Sequence, residues 1–262
     1  MPELPDLEVF KDNIFNRLTS KRLDRLIVFS SKITTPQVML ESELLGRDLQ
    51  GITRHGKELV FDFADGRIIS VHLMLNGKIS IRDNNAAKSV IPQKVFALMF
   101  ENESIIFHDT GNIGAVIKYK PFQSKTPDAF GNDFTFEYFL NMAHKNSLAN
   151  IKAFLIDQKI IKGIGNAYAD EILWAARVSP KSVIGRIPED VMLTLYEAIG
   201  AVLRNAVASI KSIAPDIISG EERSFLSVHT KLKKQTDTGF PIMVETIATK
   251  KTYFTDEQVV YK

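Results

Sequence analysis

The hydrophobic rhythm of the chain changes once, and this change limits the fold more than any other feature. From about Leu23 to Tyr119 the apolar residues come in short strand-like runs, among them Leu59 to Phe63, Ile68 to Leu73, Phe96 to Phe100 and Ile105 to His108. Turn material such as Ala64-Asp65-Gly66 and Asn76-Gly77 separates them. Beyond Asp133 the repeat becomes helical, over Leu148 to Ile156, Ala167 to Ala176 and Pro188 to about Ile210. Pro180 ends the second of these, and Pro188 sits where a first-turn proline is favoured. One helix precedes the strands, because Leu7, Phe10, Ile14 and Leu18 share a face, with Asp6 as its starting residue.

The chain therefore reads as α+β, an N-terminal helix with an antiparallel β-sandwich followed by a helical domain that ends in a hairpin. The expected boundaries are 1–120 for the first domain, 121–133 for a linker and 134–212 for the helical domain. A polar loop region follows over 213–238, and the hairpin occupies 239–262. The linker assignment rests on Pro121, Pro127 and Gly131 among polar residues.

Composition narrows the chemistry. With 33 basic and 31 acidic residues the net charge is only +2, so a nucleic-acid binder of this kind must gather its cations on one face. Cysteine is absent, which excludes disulfides, thiolate zinc sites and cysteine nucleophiles. No apolar run approaches the roughly 20 residues that span a bilayer. The opening MPELPDLEVFKDN also lacks the basic and apolar regions of a signal peptide. The expectation is a cytoplasmic protein, nucleoid-associated if bacterial, monomeric, with no membrane partner.

Pro2 and Glu3 are unremarkable as the start of a helix, but they have a chemical use. Removal of Met1, expected before a small residue, makes Pro2 a terminal secondary amine. Terminal α-amines have pKa values of about 7.7–8.0, so part of the population is neutral and nucleophilic at pH 7. Such an amine attacking a sugar C1′ yields an iminium directly, and an adjacent carboxyl group can move the protons.

MPELPD resembles the opening of the formamidopyrimidine-DNA glycosylase / endonuclease VIII family. A second block, Asp157-Gln158-Lys159-Ile160-Ile161-Lys162-Gly163-Ile164-Gly165-Asn166-Ala167-Tyr168-Ala169-Asp170-Glu171, is similar to that family's helix-two-turn-helix signature. Gly163 and Gly165 suit a tight turn with positive φ, and Asn166 suits a helix cap whose amides offer a phosphate site. The resemblance implies that Lys57 contacts the phosphate beside the lesion, completing a catalytic set with Pro2 and Glu3. It further implies DNA contacts from His72, Asn166, Lys250 and Lys251, with Asp6, Gly163, Gly165 and Glu171 in support. Pro127-Asp128 fits the family's inter-domain segment. The implied partner is damaged double-stranded DNA, and the implied activity is base excision with strand cleavage.

Two departures from the family pattern matter. The tail keeps the frame of the family's zinc finger without its cysteines, so it resembles the zinc-free variant, and no metal or organic cofactor is expected. Apolar packing by Phe240, Ile242, Val244, Ile247, Tyr253 and Phe254 would have to replace the metal. The residues that fill the stack after base flipping become Leu75 and Ile113, and Gly111 stands where the family has an arginine. Without that side chain, opposite-base selection should weaken. Oxidised pyrimidines or formamidopyrimidines then become expected substrates, with a classical 8-oxoguanine glycosylase as an alternative. A catalytically reduced binder of abasic sites or nicks is another alternative. A non-repair protein sharing only the helix-two-turn-helix is a third, although the N-terminal motif has no explanation there.

Overall fold

A computed structural model describes residues 1–30, 33, 35–84, 93–109, 116–118 and 125–262. The chain forms two compact units, one from 1–123 with 210–221 and one from 124–209 with 222–262. The expected α+β architecture is present.

In the first unit, helix α1 (Leu4–Leu18) buries Leu7, Phe10, Ile14 and Leu18, the stripe expected from their spacing. Among the described residues, two four-stranded antiparallel sheets form the sandwich. One has the order β1 (Leu23–Val28), β6 (Lys94–Phe100), β7 (Glu103–Asp109), β5 (Gly77–Asp83). The other runs β2 (Leu49–His55), β3 (Glu58–Phe63), β4 (Arg67–His72), β8 (Val116–Lys118). Strand β3 shows why they pack face to face: Leu59, Phe61 and Phe63 are buried and alternate with less buried residues. Phe61 meets Phe107 of the opposite sheet edge-on at 5.8 Å, and Phe107 stacks on Phe96 at 5.7 Å. A short helix, α2 (Gln37–Leu44), lies where only strands were expected. It buries Leu40 and Leu44 but leaves Val38 75% exposed, which blurs its amphipathic signal.

The second unit holds α3 (Phe136–Lys145), α4 (Ile151–Ile156), α5 (Asn166–Ala175) and most of α6 (Glu189–Ile213). Helix α4 begins later than the sequence indicated. The Asn150 side chain accepts from the N–H groups of Lys152 and Ala153 and starts it there, leaving Leu148 outside. Helix α6 is long and apolar enough to cross a bilayer by length and composition. Its buried Met192, Leu195, Ile199, Leu203, Ala206 and Ile210 nevertheless form one stripe at helical spacing, the pattern of a core helix.

The observed units redraw two of the expected boundaries. Residues 125–133 belong to the second unit, where the Ala129 N–H donates to the Lys162 carbonyl and the Lys162 N–H to that of Pro127. Residues 210–221 belong to the first unit. There the Asn13 amide donates to the carbonyls of Pro215 and Ile217, and the Ile79 N–H donates to the Ser219 hydroxyl.

Strands β9 (Met243–Ile247) and β10 (Lys250–Phe254) form the terminal hairpin. Its two-residue turn places Ala248 and Thr249 at φ 49° and 63°, the left-handed pair that closes a twisted hairpin. Apolar packing is not what anchors it. Phe240 and Val244 are 43% and 46% exposed, and of the six residues expected to pack only Tyr253 and Phe254 are buried. The anchor is polar. The fully buried Lys152 ammonium donates to Asp170 at 2.7 Å and to the Thr252 hydroxyl at 2.6 Å, and the Tyr253 N–H donates to Asp170 at 3.0 Å.

Candidate functional site

The expected site residues fall into two sets, one on each unit. On the first unit, Pro2 and Glu3 are buried at the head of α1. Glu3, not Asp6, is the N-cap residue. Asp6 sits at the third helical position, and its carboxylate accepts the Glu3 N–H at 2.8 Å in a capping box. An aspartate therefore reaches far enough to do this despite its short side chain. The Met1 ammonium pairs with Glu221 of the same unit. While Met1 is present, the Pro2 nitrogen is an amide and not a nucleophile.

Lys57 lies in the tight turn between β2 and β3, and Gly56 before it has φ 60°. A residue that sequence reasoning missed holds this turn. Arg54, its side chain only 4% exposed, donates to Glu8 of α1 at 2.7 Å and to the Gly56 carbonyl at 3.0 Å. The lysine turn is thereby tied to the helix that carries Pro2 and Glu3. A single arginine in a strand leaves no pattern by which this could be read.

His72 ends β4 opposite Glu58, and its Nδ1 accepts the Met74 N–H at 2.9 Å. In the neutral ring the proton is then on Nε2. The same bond shapes the following turn. Met74 has φ 52°, and the Gly77 N–H closes on the Leu73 carbonyl at 2.8 Å. A Cβ on Gly77 would stand 2.1 Å from that carbonyl oxygen, so only glycine fits. Leu75, expected to fill the stack, lies at the tip of this turn and is 59% exposed. Ile113 and Gly111 lie outside the described residues.

On the second unit the helix-two-turn-helix is knitted by the side chains of its signature. Gln158 donates to the carbonyls of Ile156 and Ile164 and accepts the Gly163 N–H at 3.0 Å, while Asp157 accepts the Lys159 N–H. Gly163 has the positive φ expected of it, at 101°. Gly165 does not. It is extended, with φ −124°, and serves as the N-cap of α5. Asn166, expected to cap, is instead the first helical residue, and its amide donates to the Lys251 carbonyl at 2.9 Å. This places the N-terminus of α5 against the strand bearing Lys250 and Lys251, both exposed.

Glu171 accepts the N–H groups of Ser227, Val228 and His229 at 2.9, 2.8 and 2.6 Å. Burial pushes its carboxyl above the ordinary value against the pull of those three bonds. Arg223 donates to the Tyr168 hydroxyl at 2.9 Å and lies over its ring. The hairpin at 239–262 contains neither cysteine nor histidine, so its residues do not fit the family's zinc ion.

Comparison with known proteins agrees with this fold. Residues 1–116 match the profile of the formamidopyrimidine-DNA glycosylase N-terminal domain, and residues 126–216 that of the formamidopyrimidine-DNA glycosylase H2TH domain. A formamidopyrimidine-DNA glycosylase of Carboxydothermus hydrogenoformans is 32% identical over 226 residues, covering 85% of this chain and 84% of the relative. A crystal structure of a Lactococcus lactis Fpg mutant with DNA containing Fapy-dG matches with a TM-score of 0.85 at 25% identity, over 98% of this chain and 99% of that one. The wild-type Lactococcus lactis protein in complex with DNA containing an oxidised pyrimidine matches with a TM-score of 0.86 at 24% identity, over the same shares. The fold and its two residue sets thus define a helix-two-turn-helix protein with a β-sandwich partner unit. The chain belongs to the formamidopyrimidine-DNA glycosylase family.

Proposed function

We propose that the chain is a bifunctional DNA glycosylase and lyase that removes oxidised bases from duplex DNA and then cuts the strand. The observation that carries this reading is the buried Pro2-Glu3 pair at the head of α1, with the Glu3 backbone held by Asp6. Once Met1 is removed, the Pro2 amine attacks C1′ of the flipped nucleotide as the base departs. Glu3 donates the proton that opens the sugar ring. The resulting iminium acidifies the adjacent carbon and permits elimination of both flanking phosphates, leaving a one-nucleotide gap.

Lys57, His72, Asn166, Lys250 and Lys251 hold phosphates of the duplex, and Leu75 with Ile113 fills the vacated stack. The machinery uses no zinc, because the polar anchor at Lys152, Asp170 and Thr252 does the mechanical work of a metal at the hairpin. For substrate, the glycine at 111 supports oxidised pyrimidines or formamidopyrimidines with weak opposite-base selection. The likeness to a protein crystallised on Fapy-dG DNA supports the same choice. The protein acts as a monomer on chromosomal DNA in the bacterial cytoplasm.

Borohydride reduction with an abasic-site duplex tests the reaction. Protein lacking Met1 is expected to form a covalent adduct, and protein retaining Met1 is not. Absence of any adduct from the processed protein, with duplex binding intact, would replace this reading with that of an abasic-site binder. Cleavage confined to 8-oxoguanine opposite cytosine would overturn the substrate assignment.

A further inference from the structure

Helix α6 carries a glycine near its middle, where glycine makes a helix less stable than alanine does. Gly200 has a spatial reason to be there. A Cβ at this position would stand 2.9 Å from both Nη1 and Nη2 of Arg204, so the glycine gives that guanidinium room against the helix. Arg204 is exposed and, among the described residues, has no hydrogen-bond or ion-pair partner.

Arg204 lines a cavity of about 650 Å³ in the second unit, together with Phe130, Phe134, Tyr196, Glu197 and Gly200. The volume is that of a small-molecule site. Its aromatic wall is held in place. The Tyr196 hydroxyl donates to the Phe134 carbonyl at 2.9 Å, and the two rings lie 5.4 Å apart. The Phe130 N–H donates to the Asp128 carboxylate at 2.9 Å, which fixes the turn that carries the ring. Glu197 and Arg204 sit two turns apart on one face of α6, roughly 10 Å along the axis. Glu197 is also exposed and without a hydrogen-bond or ion-pair partner among the described residues. The cavity thus sets an aromatic wall between an anion and a cation, neither of which is neutralised.

A flat ring with donors on one edge and a negative charge at its far end matches this layout. Aromatic side chains stack on a base, a carboxylate accepts from its N–H groups, and a guanidinium binds phosphate through two parallel bonds. Guanine offers a carboxylate two adjacent donors, N1–H and the 2-amino group, whereas adenine offers only its 6-amino group. Arg204 is the only cation among the described residues that line the cavity, which suits one phosphate and not a strand. We propose that this cavity binds a guanine mononucleotide, with the base against Phe130 and Tyr196, its donor edge on Glu197 and its phosphate on Arg204. The site shares no residue with those proposed for base excision, so it stands whether or not that reading holds.

Calorimetric titration of the full chain with GMP, AMP, guanosine and inorganic phosphate tests this. GMP is expected to bind at one site per chain. The other three should bind at least about tenfold more weakly, because each lacks the donor edge, the phosphate or the ring. Arg204→Met and Glu197→Gln change exposed side chains, so both proteins should fold, and each should weaken GMP about tenfold. Glu197→Gln should also erase the preference for GMP over AMP. Gly200→Ala should make the helix more stable yet weaken GMP binding, because its methyl group displaces the guanidinium. A glycine with only a structural role would give no such loss. Absence of GMP binding would overturn the proposal, as would guanosine, AMP or phosphate binding as tightly as GMP. An unchanged GMP affinity in Arg204→Met would overturn it too, by placing the nucleotide elsewhere on the chain.

Discussion

The Asp6 carboxylate accepts the backbone N–H of Glu3 at 2.8 Å, and both side chains are buried. Capping boxes usually serve helix stability, but this one closes on the residue next to the proposed nucleophile. The start of α1 is thereby fixed relative to the helix, and the geometry of Pro2 and Glu3 inherits that rigidity.

Asp6→Ala removes the acceptor and leaves the Glu3 N–H buried without it. Stability is expected to drop by about 1 kcal/mol, the usual cost of a lost cap. The single-turnover rate of borohydride trapping should fall about tenfold, with affinity for the duplex unchanged. A trapping rate equal to wild type would show that the box serves the helix alone.

Arg54→Met keeps much of the side-chain volume but cuts the bonds to Glu8 and to the Gly56 carbonyl. Glu8 keeps Lys11 as a partner, so the cost should be about 2 kcal/mol, below that of a fully buried broken pair. Because the Lys57 turn loses its tether, the salt slope of duplex binding should shrink by about 1, as expected for Lys57→Ala. Titration of affinity against salt for the two variants checks this. A slope in Arg54→Met identical to wild type would break the link between arginine and lysine.

Gly77→Ala and Leu75→Ala should separate stability from function. The first forces a methyl group onto the Leu73 carbonyl and should cost about 1–3 kcal/mol by urea denaturation. The second trims an exposed tip and should change stability by less than about 0.5 kcal/mol. It should nonetheless slow excision of a damaged base while leaving cleavage of a preformed abasic site much less affected. If excision is as fast in Leu75→Ala as in wild type, the wedge assignment fails.

Trp174, the single tryptophan, reports on the C-terminal segment. Its indole N–H donates to Glu257 at 3.0 Å, and Arg177 pairs with the same carboxylate at 2.9 Å. Burial tends to raise the Glu257 carboxyl, but bonds from Trp174, Thr238 and Thr255 and the charge of Arg177 bring it below the ordinary glutamate value. A carboxyl depressed in the folded state stabilises above its unfolded value and loses that contribution as pH falls through the folded one. Trp174 emission should therefore hold steady down to the ordinary glutamate range and shift only in more acid solution. Glu257→Gln should abolish that transition, and its persistence in the variant would assign it to another group.

The residues that sequence made legible are those whose role is local. The stripe Leu7, Phe10, Ile14 and Leu18 and the alternation through Leu59, Phe61 and Phe63 carry their periods openly, because burial on one face repeats with the backbone. Helix α2 was hidden because two of its apolar residues, Val38 and Met39, point to solvent. The cap of α1 was misplaced by three residues, since Glu3 and Asp6 exchange bonds and either can be read as the start.

Sequence by itself supplied the residues of the proposed reaction: Pro2 and Glu3, no thiolate anywhere, and a glycine at 163 that the turn requires. Tertiary structure alone decided what holds that chemistry in place. Arg54 meets Glu8 across 46 residues, Lys152 meets Thr252 across 100, and His229 meets Asp170 across 59. Polar contacts at such separations follow no period. A buried charge is stable only where the fold delivers its partner, and that delivery is a property of the packed chain.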